Sequence, residues 1–388
     1  ADGDGAGDVD SDGDGDADSE GDADDDDSDA GGDADADGDG EVDGDGDSEP
    51  LSCAEAVDFE ALGYLPVTDR GADPTGARVS TSEIQAAIDE AYERGMVVFF
   101  PSGTYLVDDT LDLMQLDEEQ NREGHMIVGS YCGDRPVIRL RDGAPGFDSC
   151  AGYPTDMAGC VPDTVEDFST SSNCDFRERT TLKPVVVLWR QNDDCPADQQ
   201  HPDRSEGGRD WNNVIRNIDI VLGSNPGAVG IRHGGAEGSS TQEVRIDATG
   251  GFAGIYSLNS SGGYNYDIEV VGGRHGVYAT RMRGGPPLIV GLRLSGQTEA
   301  PLVIDHYAPV NIVGFEIEHE TGPVVEVSRQ SHTSSGHIAM IDGTISLGGV
   351  AGPMIRNTDR SVYLGNLYVR GASQVVESTS EGSSLEAA

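Results

Sequence analysis

Positive charge is scarce in this sequence. Lys183 is the only lysine among 388 residues, and 24 basic side chains stand against 72 acidic ones, a formal net charge of −48. Nucleic-acid phosphates are bound by clustered Lys and Arg, so no nucleic-acid partner is expected. The same deficit excludes electrostatic attachment to anionic lipid. Long apolar runs are also missing. None approaches the ~20 residues of a membrane-spanning helix, so no membrane span is expected. There is no C-x-x-C pair, phosphate-binding glycine loop, nucleophile elbow or zinc motif. The chain does not open with Met and shows no signal peptide, and it is expected to begin after processing or as a fragment.

The acidity is divided unevenly. Residues 1–50 hold 21 Asp, 3 Glu and no Lys or Arg. Built almost entirely of Asp, Gly, Ala and Ser, this tract cannot bury enough apolar surface to offset chain entropy and reads as a disordered acidic tether. Its "DVDSDGDGDAD" and "DADADGDGEVD" segments have the alternating Asp of calcium loops. The twelfth position of each is Ser19 or Gly44, where an EF-hand needs a bidentate Glu. Only weak, diffuse calcium binding is expected of this tail, and no cofactor is expected of the rest. Residues 51–388 are of a size that suits one elongated repeat domain. Six cysteines are present: Cys53, Cys132, Cys150, Cys160, Cys174 and Cys195. Four of them fall in the polar stretch 142–210, read as a loop excursion. An even count without metal-ligand spacing points to disulfides and a secreted or cell-surface location.

From residue 213 onward a short apolar–polar–apolar motif recurs every 23 to 28 residues. Its last apolar residues are Ile220, Ile246, Val270, Leu294, Ile317, Ile345 and Val369. A second row follows at Ile231, Ile255, Tyr278, Val303, Val325, Ile355 and Val376. A period in this range means a solenoid, and short alternating strands make it a β-solenoid. The inward Ile, Val and Leu would stack into one core. Asp219, Arg245, Glu269, Arg293, Glu316 and Tyr368 would form outward ladders. Residues 97–190 would add two or three irregular coils. Upstream, Ser82 is placed to cap a helix whose Ile84, Ala87, Ile88 and Ala91 share one face, ended by Gly95. That helix would close the N-terminal end, and the C-terminal end shows no comparable cap.

The segment from 67 to 107 resembles the N-terminal signature of the pectate-lyase-like right-handed β-helix superfamily. The matching residues are Gly71-Ala72-Asp73, Gly76, Ile84-Gln85-Ala86-Ala87-Ile88-Asp89, Phe100-Pro101 and Gly103-Thr104-Tyr105. The resemblance implies an all-β fold: a right-handed parallel β-helix with an N-terminal capping α-helix. It leaves the chemistry open, because this fold carries lyases, hydrolases, epimerases and phage tailspikes.

Over 213–280 the sequence also resembles the N-terminal β-helix of family-55 glycoside hydrolases, inverting exo-β-1,3-glucanases. The matches are Gly230-Ile231, Ala236, Ser239 or Ser240, Gly254-Ile255, Asn259, Ser261-Gly262-Gly263 and Gly272-Gly273. The resemblance implies that Glu237, Tyr256 and Ser260 or Ser261 hold the attacking water. Glu237 stands where the family has Gln, and a carboxylate there would serve as a general base. The family's acid lies on a second β-helix that this chain lacks. Asp305, Glu299 and Asp267 are candidate acids by coil position. His233, Asn259, Tyr264, Tyr266, His275, Arg281, Arg283, His306 and Tyr307 are candidate sugar contacts. The expected partner is a polysaccharide or oligosaccharide. Two rival readings stand beside the hydrolase. One is a non-catalytic glycan-binding or adhesin-like module, under which "IYSLNSSGGYN" (255–265) is only a turn between strands. The other is a polysaccharide lyase with Arg281 or Arg283 as base, for which no Asp ladder appears on successive coils beside them.

Overall fold

The computed structural model describes residues 58–116, 124–147, 182–192, 195–196, 200, 202, 209–280, 285–305, 308–327, 336–349, 352–358, 360–378 and 384–386. The acidic tail with its calcium-like segments, most of the 142–210 excursion, Arg281, Arg283, His306 and Tyr307 lie outside the described residues. The helix runs Thr81–Arg94 and buries Ile84, Ala87, Ile88 and Ala91 against the first strands. Gly95 ends it in the left-handed conformation, its N–H reaching the Ala91 and Tyr92 carbonyls. Ser80, one residue before the helix, is the N-cap, and Ser82 sits inside the first turn. The Ser80 hydroxyl accepts the Asp73 N–H at 2.9 Å and so ties the helix start to the preceding turn.

Two sheets of parallel strands, A and B, form a right-handed parallel β-helix. Sheet A contains Val97–Phe100, Met126–Gly129, Val214–Arg216, Ser240–Asp247, Tyr264–Val271, Leu288–Ser295, Val310–His319, His337–Leu347 and Ser361–Arg370 in stacking order. Sheet B contains Leu111–Gln115, Lys183–Arg190, Ala228–His233, Ala253–Tyr256, His275–Thr280, Leu302–Asp305, Val325–Val327, Pro353–Asn357 and Gln374–Ser378. The Lys183–Arg190 strand falls within 142–210, so that stretch contributes a full coil strand.

The first row of the repeat is in register throughout: Ile220, Ile246, Val270, Leu294, Ile317, Ile345 and Val369 each pair with the next. These side chains enter one continuous core with the inward residues of sheet B. The outward ladder also holds. Asp219, Arg245, Glu269, Arg293 and Glu316 stack in alternating sign, with Arg245 Nε 3.1 Å from Glu269 Oε1. Each such exposed pair stabilises little, but like charges in adjacent rungs would oppose the register.

Sheet A bends at one position in every coil, and the bend is left-handed. Asn217, Glu243, Asp267, Gly291, Gly314, Asp342 and Asn366 all have φ between 48° and 74°. Asn, Asp and Gly tolerate this conformation best, which accounts for six of the seven. Glu243 is held there by Arg216 at 2.8 Å and by the Tyr131 hydroxyl.

The second row departs from the sequence reading at two coils. Ile255 pairs with Val277, and Val277 with Leu302. Tyr278 and Val303 are one residue further on and point outward. Alternate strand residues face opposite sides, so one step exchanges the faces. The pattern concealed this because both faces are apolar here. At the C-terminal end, the antiparallel strand Ser384–Glu386 pairs with Gln374–Ser378, so sheet B is covered there where no cap is apparent in the sequence.

At Gly230, Gly254 and Gly276 side chains of sheet A (Ile246, Val270 and Leu294) fill the space a Cβ would occupy. A Cβ at Gly254 would lie 2.5 Å from Val270 Cγ1 and 2.6 Å from Cγ2. Gly254→Val is therefore expected to destabilise the fold by about 1–3 kcal/mol or more through overpacking. Urea denaturation monitored by circular dichroism measures this, and an unchanged midpoint would contradict the close approach.

Candidate functional site

The outward face of sheet B has two unlike halves. In the N-terminal half, Leu182, Val229, Phe252, Ala253, Tyr256, Tyr278 and Val303 form a second, smaller apolar cluster, separate from the main core. Tyr256 and Tyr278 stack with centroids 5.9 Å apart and planes at 14°. Phe252 meets Tyr278 at 5.6 Å and His275 at 5.2 Å. Arg232 lies over Tyr256 and Arg274 over Phe252. Tyr256 is 1% exposed and Tyr278 4%, so these rings are packing and not an open sugar platform. His275 is buried as well, with Nδ1 2.8 Å from the Ala300 carbonyl and Nε2 3.4 Å from Glu299 Oε2. Arg274 Nε holds the same carboxylate through Oε1 at 2.8 Å. Glu299 is thus one end of an ion-paired brace.

Three more of the expected site residues are inside the corner where sheet B hands the chain to sheet A. Asn259 is fully buried. Its Oδ1 accepts the Gly235 N–H at 2.9 Å, and its Nδ2 lies 3.1 Å from His233 Nδ1 and 3.2 Å from Thr241 Oγ1. Asn265 completes the brace, donating to the Asn259 carbonyl at 2.9 Å. An asparagine amide can replace a peptide group, so these residues satisfy backbone polar atoms the corner removes from water. Ser260 is fully buried and its N–H donates to the Gly235 carbonyl. His233, also buried, is pushed down to about 3 by desolvation and stays neutral. "IYSLNSSGGYN" is therefore a corner with a structural amide brace. Residues 255–260 are buried, Ser261 is half-buried, and the segment reaches the surface at Gly262 and at Tyr264, which is 42% exposed and stacks on Tyr266 at 5.7 Å.

Glu237 is exposed in the neighbouring turn, beside Gly262. It lies three coils before Asp305, and at a coil spacing near 4.8 Å the two backbones are about 14 Å apart along the axis. Inverting hydrolysis needs carboxyl groups roughly 6.5–9.5 Å apart, so the geometry does not favour this pair. Asp267 is a left-handed corner residue beside Arg293 on sheet A, away from sheet B's outward face. Among the described residues, no group of three or more His, Cys, Asp or Glu is assembled to hold a metal ion.

The C-terminal half of the sheet B face is different. Val303 pairs with Glu326, Glu326 with Arg356, and Arg356 with Glu377. The three charged residues are half-buried and point outward. Arg356 bridges Glu326 at 3.0 Å and Glu377 at 3.1 Å. Burial nevertheless raises the Glu326 carboxyl above its ordinary value, outweighing Arg356, and Glu377 adds to the rise. Asp305 points outward on the preceding coil, two residues further along. One coil and two residues place the Cα atoms of Asp305 and Glu326 about 8 Å apart. The Tyr278 hydroxyl is raised by burial and by the negative charge of Asp305. Val325 belongs to the second row of the repeat in the sequence, whereas nothing in the motifs singles out Glu326. Its alternation with inward Val325 and Val327 is the signal that places it outward.

One buried acid was also missed. Asp210 sits in the sheet B to sheet A corner and accepts from Asn213 Nδ2, and burial pushes it up to about 7. It is enclosed, so its role is in the packing of the corner. The two described cysteines, Cys132 and Cys195, are not free thiols. The pairing of the six lies outside the described residues. Among the described residues no helix is long and apolar enough to cross a membrane.

Residues 64–173 match the family described as rhamnogalacturonase A/epimerase, pectate lyase-like. No curated protein sequence matches the chain. Among solved structures it is similar to the mannuronan C-5 epimerase A-module of Azotobacter vinelandii, at 14% identity and TM-score 0.32, covering 84% of this chain and 100% of that one. It is similar to the tailspike protein of E. coli bacteriophage HK620 in complex with pentasaccharide, at 12% identity and TM-score 0.46, covering 82% of this chain and 58% of that one. It is also similar to PfbA, a surface adhesin of Streptococcus pneumoniae, at 13% identity and TM-score 0.30, covering 83% and 94%.

The buried ionisable groups set a pH dependence of stability. Burial lowers His125 to about 4 and His233 to about 3, and also lowers His275 and His319. Below pH ~6.5 the unfolded chain binds protons that the folded one refuses, so the contribution of these histidines is present above that pH and lost as it falls. Asp210 acts in reverse. Folded, it keeps a proton that the unfolded chain sheds, so its contribution is present below pH ~4 and lost as the pH rises to about 7. Four histidines oppose this acid, so the urea midpoint is expected to fall between pH 7 and pH 5. The change corresponds to a few kcal/mol, on the order of 2 per fully buried histidine. Asp210→Asn should make the fall steeper, and equal midpoints at both pH values would contradict the assignment.

Proposed function

We propose that this pectate-lyase-like parallel β-helix acts on polysaccharide at the open half of the sheet B face, as a glycoside hydrolase with Glu326 as acid and Asp305 as base. The observation that carries this is the half-buried Glu326, raised above the ordinary glutamate range, with Asp305 one coil away on the same face. The family description matched by residues 64–173 supports the polysaccharide class. Glu326 would donate its proton to the glycosidic oxygen as the bond to the anomeric carbon breaks. Asp305 would take a proton from the water that attacks that carbon from the opposite face. The two backbones stand about 8 Å apart on the same face, and inverting hydrolysis would require their carboxyl groups to lie roughly 6.5–9.5 Å apart with the water between them. Arg356, 3.0 Å from Glu326, would stabilise the carboxylate left after donation. No resident cofactor is needed for these steps. A secreted or surface-attached setting and disulfide pairing of the six cysteines accord with this substrate.

One observation favours a second reading. Glu326, Arg356 and Glu377 make a continuous ion-pair ladder, which could equally present charge to a bound glycan without reacting. Release of new reducing ends from a panel of neutral and acidic polysaccharides separates the two. The hydrolase reading expects release by the wild type, and a loss of roughly 10²-fold or more in kcat for both Glu326→Gln and Asp305→Asn with binding retained. Binding without release would leave the non-catalytic module, and product absorbing in the ultraviolet would mean a lyase.

A further inference from the structure

We infer that a groove at the other corner of the helix, where sheet A hands the chain to sheet B, is a separate binding site for a neutral saccharide unit. The groove has a volume of about 660 Å³ and is lined by Gln297, Thr298, Glu318, His319, Ser346 and Arg370, among others. Three of these residues are in register on consecutive coils: Glu318 pairs with Ser346, and Ser346 with Arg370. The groove is thus built by the coil stack itself.

Two of its side chains are buried and incompletely satisfied. Gln297 is 4% exposed and His319 8%. The Gln297 Nε2 donates to the Val270 carbonyl at 3.1 Å and the Gly272 carbonyl at 3.0 Å. That fixes the amide and leaves Oε1 without a partner. The His319 ring bonds the Gln297 backbone carbonyl, and its Nδ1 has no partner. With the ring proton on that carbonyl, Nδ1 is an acceptor. An unmet buried acceptor costs about 1–3 kcal/mol, which a ligand offering O–H donors would relieve.

The remaining lining selects among such ligands. Glu318 and Glu320 are exposed carboxylates that accept from hydroxyls and repel uronic acids, and Arg370 offers one cationic donor. A bound cation is less well served, because no metal-competent group of His, Cys, Asp or Glu is found among the described residues. The volume fits a mono- or disaccharide. This site does not depend on the chemistry proposed for the sheet B face.

Saturation-transfer NMR on the full chain tests the inference, with cellobiose, laminaribiose and digalacturonate as probes. Gly348→Trp fills the groove from an exposed turn, where a Cβ would meet only the Glu320 carboxylate end at 3.1 Å. His319→Phe removes the acceptor by an independent route. At least one neutral disaccharide should bind the wild type and Glu326→Gln alike, and roughly ten-fold or more weakly to both groove variants, with digalacturonate giving no signal. No binding of either neutral disaccharide at about 10 mM would overturn the inference. So would equal binding to Gly348→Trp and His319→Phe, or loss in Glu326→Gln alone, which would assign the sugar to the sheet B face.

Discussion

In-register stacking of each coil on the one before is the constraint from which the rest of the molecule follows. Every inward Ile, Val or Leu gains its burial from the same position of its neighbours, about 1.5–3 kcal/mol for a fully buried side chain. A slip of one residue in any coil would turn its apolar set to the outside. The left-handed corner residues from Asn217 to Asn366 bend sheet A at the same point in each turn. Glycines at 230, 254 and 276 let sheet B approach sheet A. The corner bend repeats once per coil from Asn217 to Asn366, and the glycines serve three consecutive coils.

Stacking also decides which side chains can act together. Residues that share a face are those one coil apart and zero or two residues offset, whatever their distance in sequence. This brings Asp305 beside Glu326 and sets Glu237 three coils from Asp305. It also divides the sheet B face. Around Phe252, Tyr256 and Tyr278 the outward side is a closed apolar layer, and from Glu326 to Glu377 it is half-exposed and charged. Tyr256, expected beside the attacking water, is packing within the apolar layer, whereas the Tyr264–Tyr266 stack keeps one ring exposed.

Much of the fold was legible because its signal is periodic. The first row of inward residues and the outward charge ladder were placed correctly from Ile220 to Val369, since polar and apolar residues alternate cleanly there. The second row failed at Tyr278 and Val303, where apolar residues occupy both faces and alternation carries no information. The site was far less legible. His233, Asn259 and Ser260 have the residue types of a sugar site, yet a tight corner needs the same polar types to satisfy its own backbone. Sequence gives the type of a side chain, and only the register tells whether it faces inward. Glu326 was missed for the same reason in reverse, as one polar residue between two valines.

The raised proton affinity of Glu326 is the point on which the functional account turns, and it requires no knowledge of the substrate. A carboxyl-carbon NMR titration of the full chain, with the Glu326 resonance assigned by its loss in a glutamine variant, measures it directly. The account predicts a midpoint above the ordinary glutamate value, because half-burial outweighs the Arg356 charge. A midpoint at or below that value would show Glu326 to be a simple ion-pair partner of Arg356, and would contradict its role as the acid.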